Sequence, residues 1–191
     1  MNVELNIAPI YINVNEDNHL SLFCEHLSNY LSAYLPRHNH ELVIVCIGTD
    51  RATGDSLGPL VGYKLHDLPY EKVSLYGTLD NPVHAKNLEE MLVKILDAHP
   101  NALIIAIDAC LGACENVGCL TLGEGSIKPG AGVKKELPPV GHIHITGIVN
   151  FSSLMNMVIL QNTRLSLVMK MADTISSGIK FCIWRYYRHL S

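Results

Sequence analysis

Residues 43–62 read VIVCIGTDRATGDSLGPLVG, a run of Val and Ile followed by a glycine turn, an aspartate and a helix-like segment. A short continuous β-branched run bounded by turn residues suits a strand covered on both faces, here Glu41 to Gly48. Ser56 to Leu68 reads as the following helix, with Pro59 tolerated in its first turn and Pro69 just beyond its end. The pattern recurs at residues 102–113, ALIIAIDACLGA, where Asp108 ends a second buried run. In an open α/β sheet, ligands gather outside the carboxyl ends of parallel strands. Asp55 and Asp108 are therefore expected to face one site.

The rest of the chain extends this reading. Leu20, Phe23, Leu27, Tyr30, Leu31 and Tyr34 recur at helical spacing after the capping candidates Asn15 and Asp17, and Pro36 stops the helix. Lys72 to Tyr76 reads as a second strand, followed by a polar turn at Asp80, Asn81 and Pro82. A helix with the stripe Leu88, Met91, Leu92 and Ile95 comes next. Ala102 to Asp108, Val117 to Leu122 and His142 to Val149 complete five strands. Phe151 to Asn162 and Arg164 to about His189 read as closing helices, the last with Val168, Met171, Ile175, Ile179 and Ile183 on its core face. Alternating strands and helices predict a three-layer α/β/α sandwich on a mostly parallel, twisted sheet of five strands or slightly more. No repeat or linker divides it, so residues 1–191 are expected to form one domain.

Composition narrows the function classes. With 191 residues, 48% hydrophobic and 17% charged, the chain can bury a sizeable core. A net charge of −4 gives no footprint for nucleic acid; the basic WRYYRH at residues 184–189 is what a helix C-terminus favours anyway. Runs such as ALIIAI fall far short of the roughly twenty apolar residues that span a bilayer, so no membrane partner is expected. The start, MNVELNIAPIY, has no cationic export region, which predicts a cytoplasmic protein whose six cysteines are free thiols. Cys110, Cys114 and Cys119 lack the C-x2-C pairs of zinc ribbons and read as small buried or turn residues.

An aspartate after a glycine at a helix start, such as Asp55, is by itself most simply a cap. Asp108 has no capping task, and an unpaired buried carboxylate is costly. Two adjacent carboxylates do not both ionise comfortably; they share a proton and titrate as a pair. One base, one acid and a water between them is the equipment of peptide hydrolysis. Three tempting motifs fail. In GTDRATGDS, residues 48–56, the glycines stand one residue too far apart for a phosphate loop and Asp55 takes the place of the lysine. GDSL, residues 54–57, spells the nucleophile block of a lipase/esterase family with Ser56 as nucleophile, but no D-x-x-H follows His144. There is no G-x-G-x-x-G for a dinucleotide.

GDSLGP resembles the T-P-D-A-L-G-P turn of the germination proteases, IDACLG their second aspartate turn V-D-A-L-A, and SIKPGAGV at residues 126–133 their segment T-G-I-x-P-G-S-G-V. The pattern is most similar to short sporulation-associated relatives called the YyaC family. The resemblance implies a phosphorylase/hydrolase-like fold and an aspartic-type peptidase with Asp55 and Asp108 as the catalytic pair. It further implies a protein or peptide substrate, no required cofactor, and a spore or forespore interior. The chain is shorter than those proteases and shows no self-cleaving propeptide. HITG, residues 144–147, resembles the H-x-x-G segment of hydrogenase maturation proteases, where a histidine joins two carboxylates at nickel. That implies an alternative in which Asp55, Asp108 and His144 hold a divalent metal, with His142 two positions earlier on the same strand face. The Gly123 to Gly141 stretch is long for a connector and is expected to be a substrate loop through Lys128, Gly130, Gly132, Lys134 and Lys135, the paired lysines suiting an acidic substrate. A non-catalytic scaffold on the same fold is the rival reading, and a homo-oligomer is compatible with either.

Overall fold

The computed structural model describes residues 9–129, 137–188 and 190. The strands are β1 (Ile10–Asn13), β2 (Leu42–Cys46), β3 (Val73–Tyr76), β4 (Leu103–Gly112), β5 (Cys119–Glu124) and β6 (Ile143–Phe151). The helices are α1 (His19–Tyr34), α2 (Leu57–Leu65), α3 (Leu88–Ala98), α4 (Asn156–Gln161) and α5 (Leu165–Arg188). They build one sheet in the order β1-β5-β6-β4-β2-β3. β3, β2, β4 and β6 run parallel, while β5 and β1 are antiparallel additions at one edge.

The expected α/β/α architecture holds, with differences that have local causes. β1 is a sixth strand that the sequence reading lacked. Its four residues pair with Cys119 to Leu122, so its partner lies over a hundred positions away. The helix read from Ser56 begins as a 3-10 turn over Thr53–Ser56 and becomes α-helical at Leu57. The helix read over Phe151 to Asn162 shortens to α4, because β4 continues past an irregularity at Cys110/Leu111 and holds Asn150 and Phe151 extended beside Leu111 and Gly112. Pro36 sits inside a 3-10 turn, Leu35–His38, that follows α1 directly.

The two faces of the sheet are unequally covered. On one, Phe23, Leu27 and Leu31 of α1, Leu57 and Val61 of α2, and the whole expected stripe of α5 pack on Ile44, Ile105 and Ile145. On the other, Leu88 and Ile95 of α3 with Leu137 and Val140 cover Val43, Val45, Ile104 and Ala106. Each such buried aliphatic side chain stabilises the fold by roughly 1.5–3 kcal/mol relative to exposure. Among the described residues, no helix is long and apolar enough to cross a membrane.

α2 meets β2 at backbone distance. A Cβ on Gly58 would run into the Ile47 carbonyl oxygen and would lie 2.7 Å from the Ile47 nitrogen. Gly58→Ala is therefore expected to push α2 off the sheet and cost about 1–3 kcal/mol, the range for overpacking. A urea midpoint unchanged from that of the parent would contradict this contact.

Candidate functional site

β2 connects through α2 to β3 on one side, whereas β4 lies on the other side of β2. The crevice at the carboxyl ends of β2 and β4 is thus a topological switch point, where open α/β sheets bind ligands. Register places a carboxylate there. Cys46, the last residue of β2, pairs with Ile107, and the Ile47 N–H donates to the Ile107 carbonyl at 2.7 Å. Asp108 is the next residue of β4, on the face shared with Ile104 and Ala106, just where β2 stops covering its neighbour.

Asp55 arrives from the opposite direction. Gly48 turns the chain at φ 138°, and a Cβ there would collide with the Asp55 carbonyl oxygen. The Thr49 N–H donates to that carbonyl at 3.0 Å, and the Asp55 N–H donates to Ala52 at 3.0 Å. Asp55 does not act as a helix cap: Ala52 and Ser56 occupy the cap positions, neither with a side-chain cap bond. Both carboxylates line one cavity of about 300 Å³, walled by Pro129 and Leu137 on one side and by Met157 and Leu160 on another, with Arg51 and Lys86 also lining it.

His84 lines the same cavity, and the sequence reading missed it inside a polar turn. A bridge between Ile47 and Val83, with the Gly48 N–H donating to the Val83 carbonyl at 2.8 Å, brings this turn beside the end of β2. Asn87 fixes it by accepting from the His84 N–H at 2.8 Å and donating to the Pro82 carbonyl at 3.0 Å. The His84 Nδ1 is buried and has no hydrogen-bond partner among the described residues. Buried polar atoms are almost always paired, and this one is not, on a residue that lines the cavity with both carboxylates. The only signal for it in the sequence was a histidine just after a turn that follows a strand.

Burial sets the titration of the pair. It pushes the Asp55 carboxyl up to about 6, against the pull of the Thr49 N–H and the His84 ring. It raises Asp108 well above the usual carboxylate range, with the charge of Asp55 adding to the rise and the Ala109 N–H, 2.8 Å from Oδ1, opposing it. Asp108 thus keeps its proton while Asp55 ionises near neutrality.

The histidines of the HIH segment lie elsewhere. Thr146 is the residue in register with Asp108; His144 is in register with Ala106, two residues toward the amino end of the sheet. Its Nδ1 is 3.0 Å from the Gly125 carbonyl and its ring packs against Gly123. The exposed His142 accepts from the Ile104 N–H at 3.0 Å and packs against the His38 ring at 4.9 Å. The structure therefore does not assemble Asp55, Asp108 and His144, and among the described residues no three His, Cys, Asp or Glu side chains are placed to hold a metal ion. The described residues do not fit the divalent ion of the alternative reading. Of the expected substrate loop, Lys128 is exposed and absent from the cavity lining, while Gly130, Gly132, Lys134 and Lys135 lie outside the described residues. Ser56 is buried, and its hydroxyl donates back to the Thr53 carbonyl at 2.6 Å, so it is not an available nucleophile.

A folded Asp55 that holds its proton up to about 6, against 3.8 in the unfolded chain, makes folding take up a proton between those values. Stability must then fall as pH rises from about 4 through 6. Asp55→Asn carries no such charge, so at pH 7 it is expected to be the more stable protein, by up to about 3 kcal/mol. Urea unfolding of both proteins at pH 4, 5, 6 and 7 measures this, and parallel curves would rule out the buried carboxylate.

Comparison with known proteins agrees with this architecture. The structure of the [NiFe] hydrogenase maturation protease HycI from Thermococcus kodakarensis KOD1 superposes with a TM-score of 0.52, covering 75% of this chain and 92% of that one. At 18% identity the likeness is one of fold. The uncharacterized protein YyaC of Bacillus subtilis (strain 168) is 54% identical over 138 residues, spanning 72% of this chain and 67% of that protein. The match of residues 11–178 to its model makes this chain a member of the family described as "Protein of unknown function (DUF1256)".

Proposed function

We propose that the protein is a peptidase of the germination-protease type, in which Asp55 and Asp108 hydrolyse a peptide bond without a metal. The observation that carries this reading is the convergence of a buried carboxylate, Asp108, and a partly buried one, Asp55, in one cavity, where burial and then the charge of Asp55 raise the Asp108 pKa. Such a pair is pre-divided into base and acid. Ionised Asp55 takes a proton from water, the water oxygen attacks the scissile carbonyl, and protonated Asp108 donates its proton to the carbonyl oxygen. Collapse of the tetrahedral adduct returns that proton to Asp108, while Asp55 delivers its own to the departing amine. The unpaired Nδ1 of His84 offers a hydrogen-bonding position for the attacking water or for a substrate amide.

Three further features support the reading. The fold is that of a protease, as the likeness to HycI indicates. The segments GDSLGP, IDACLG and SIKPGAGV carry the resemblance to the germination proteases and with it the sporulation setting. Exposed Met157 leads from the cavity to a run of exposed apolar side chains, Phe151, Leu154 and Met155, suited to an extended polypeptide.

The purified protein should generate new termini in a proteome-derived peptide mixture, read by mass spectrometry, and a chelator should not change the rate. Asp55→Asn and Asp108→Asn should each lower cleavage by about 10²–10⁴-fold, the usual contribution of a general acid or base. His84→Gln should reduce it less, and His144→Ala should leave it unchanged. The rate should rise with pH through about 6 as Asp55 ionises and fall at higher pH as Asp108 does. Cleavage that survives either aspartate substitution would overturn the assignment.

A further inference from the structure

A second concavity lies on the thickly covered face, along the seam between α1 and α5. It measures about 1040 Å³ and shares no lining residue with the carboxylate cavity. Two thiols from opposite ends of the chain meet in it. Cys24 on α1 is half-buried, and Cys182 on α5 is 1% exposed. The two thiols are near enough to influence each other's titration. The Cys182 thiol also lies 3.4 Å from the Cys24 carbonyl oxygen, and the Ser28 hydroxyl donates to the Cys182 sulfur at 3.4 Å. The helices can approach this closely because residue 178 is glycine: a Cβ there would strike the Phe23 ring and sit 3.6 Å from the Cys24 sulfur.

The partners differ in acidity as well as access. The neighbouring Cys182 thiol lowers the Cys24 pKa against the effect of burial, whereas Cys24 and then burial hold the proton on Cys182. The more acidic sulfur also belongs to the more accessible residue. Thiolate character combined with access is what makes a cysteine reactive, and a neighbouring thiol is what resolves the product. The exposed Arg185 also lines the groove, with Asp17 and Glu25, so both signs of charge are present for a zwitterionic ligand.

We propose that Cys24 and Cys182 form a thiol-exchange site for a small, amino-acid-like disulfide entering the α1–α5 groove. The Cys24 thiolate attacks one sulfur of the incoming disulfide; its S–S bond breaks, and one small thiolate leaves. Cys182 then gives up its proton and attacks the Cys24 sulfur, releasing the second small thiolate, which takes a proton. Two protein thiols are oxidised to one α1–α5 disulfide, and one small disulfide is reduced to two thiols. This site is independent of the proposed peptidase chemistry and stands or falls without it.

The test treats the native, reduced chain with glutathione disulfide as probe, followed by non-reducing peptide mapping. A peptide pair joined through Cys24 and Cys182 and lacking two hydrogens is expected, together with a raised melting temperature, since the bond closes nearly the whole chain. Cys182→Ser should stop the reaction at a mixed disulfide on Cys24, formed several-fold more slowly because the neighbouring thiol is gone. Cys24→Ser should give no adduct at Cys182. Exposed Cys114 serves as the internal control for unassisted reaction. Absence of the joined peptide in the parent protein, or trapping in Cys182→Ser on Cys114 but not on Cys24, would overturn the proposal. If Cys182→Ser fails to fold, Cys182→Ala carries the same trapping test, and the joined peptide in the parent decides the matter by itself.

Discussion

Everything at the site depends on how closely the chain after β2 folds back onto the end of that strand. Gly48 and Gly58 remove the two Cβ atoms that would otherwise hold the 53–58 segment away from Ile47 and residue 48. The result is a turn in which main chain rests on main chain, with the Asp55 carbonyl held by the Thr49 N–H. The carboxyl group is carried into a desolvated position as a by-product of that packing. Its raised pKa follows from the backbone geometry before any partner is considered.

The layers of the sheet are unequal, and the carboxylate cavity is lined in part by the thinner one. Three helices, α1, α2 and α5, bury the first face along most of the sheet. The second face is covered by α3 with Leu137 and Val140, and Leu137 also walls the carboxylate cavity. Asp108 lies on that thinner side because strand alternation puts it there with Ile104 and Ala106. A one-residue slip of β4 would have turned the carboxylate into the packed face, where neither water nor substrate reaches it.

Much of this was legible in the residues. The β-branched runs and the aspartates that follow them place the parallel strands and the two carboxylates, and the helical spacing of Val168 through Ile183 places the core face of α5. What escaped was set by pairing rather than by local pattern. Ile10 to Asn13 is too short to signal a strand by alternation, and its partner is distant in sequence. The end of β6 was read as helix because nothing within residues 150–151 reveals that β4 extends beside it. His144 was placed at the site from its motif, but only strand register tells which level of the sheet a residue occupies. His84 reaches the carboxylates through a single bridge at Val83, a contact no sequence spacing encodes.

The edge strand and the first helix have a further consequence, for how the molecule is made. Residues 10–13 find their ladder only when residues 119–122 exist, and α1 packs chiefly on α5, the last element of the chain. During synthesis the first forty or so residues must therefore wait, with the apolar stripe of α1 unpartnered, until almost the whole polypeptide has emerged. The parallel centre, β2 through β4 with α2 and α3, is contiguous in sequence and has the lower loop-closure cost. Assembly is thus expected to run from the middle outward, with the two termini closing together over a sheet whose carboxyl strand ends are already in place.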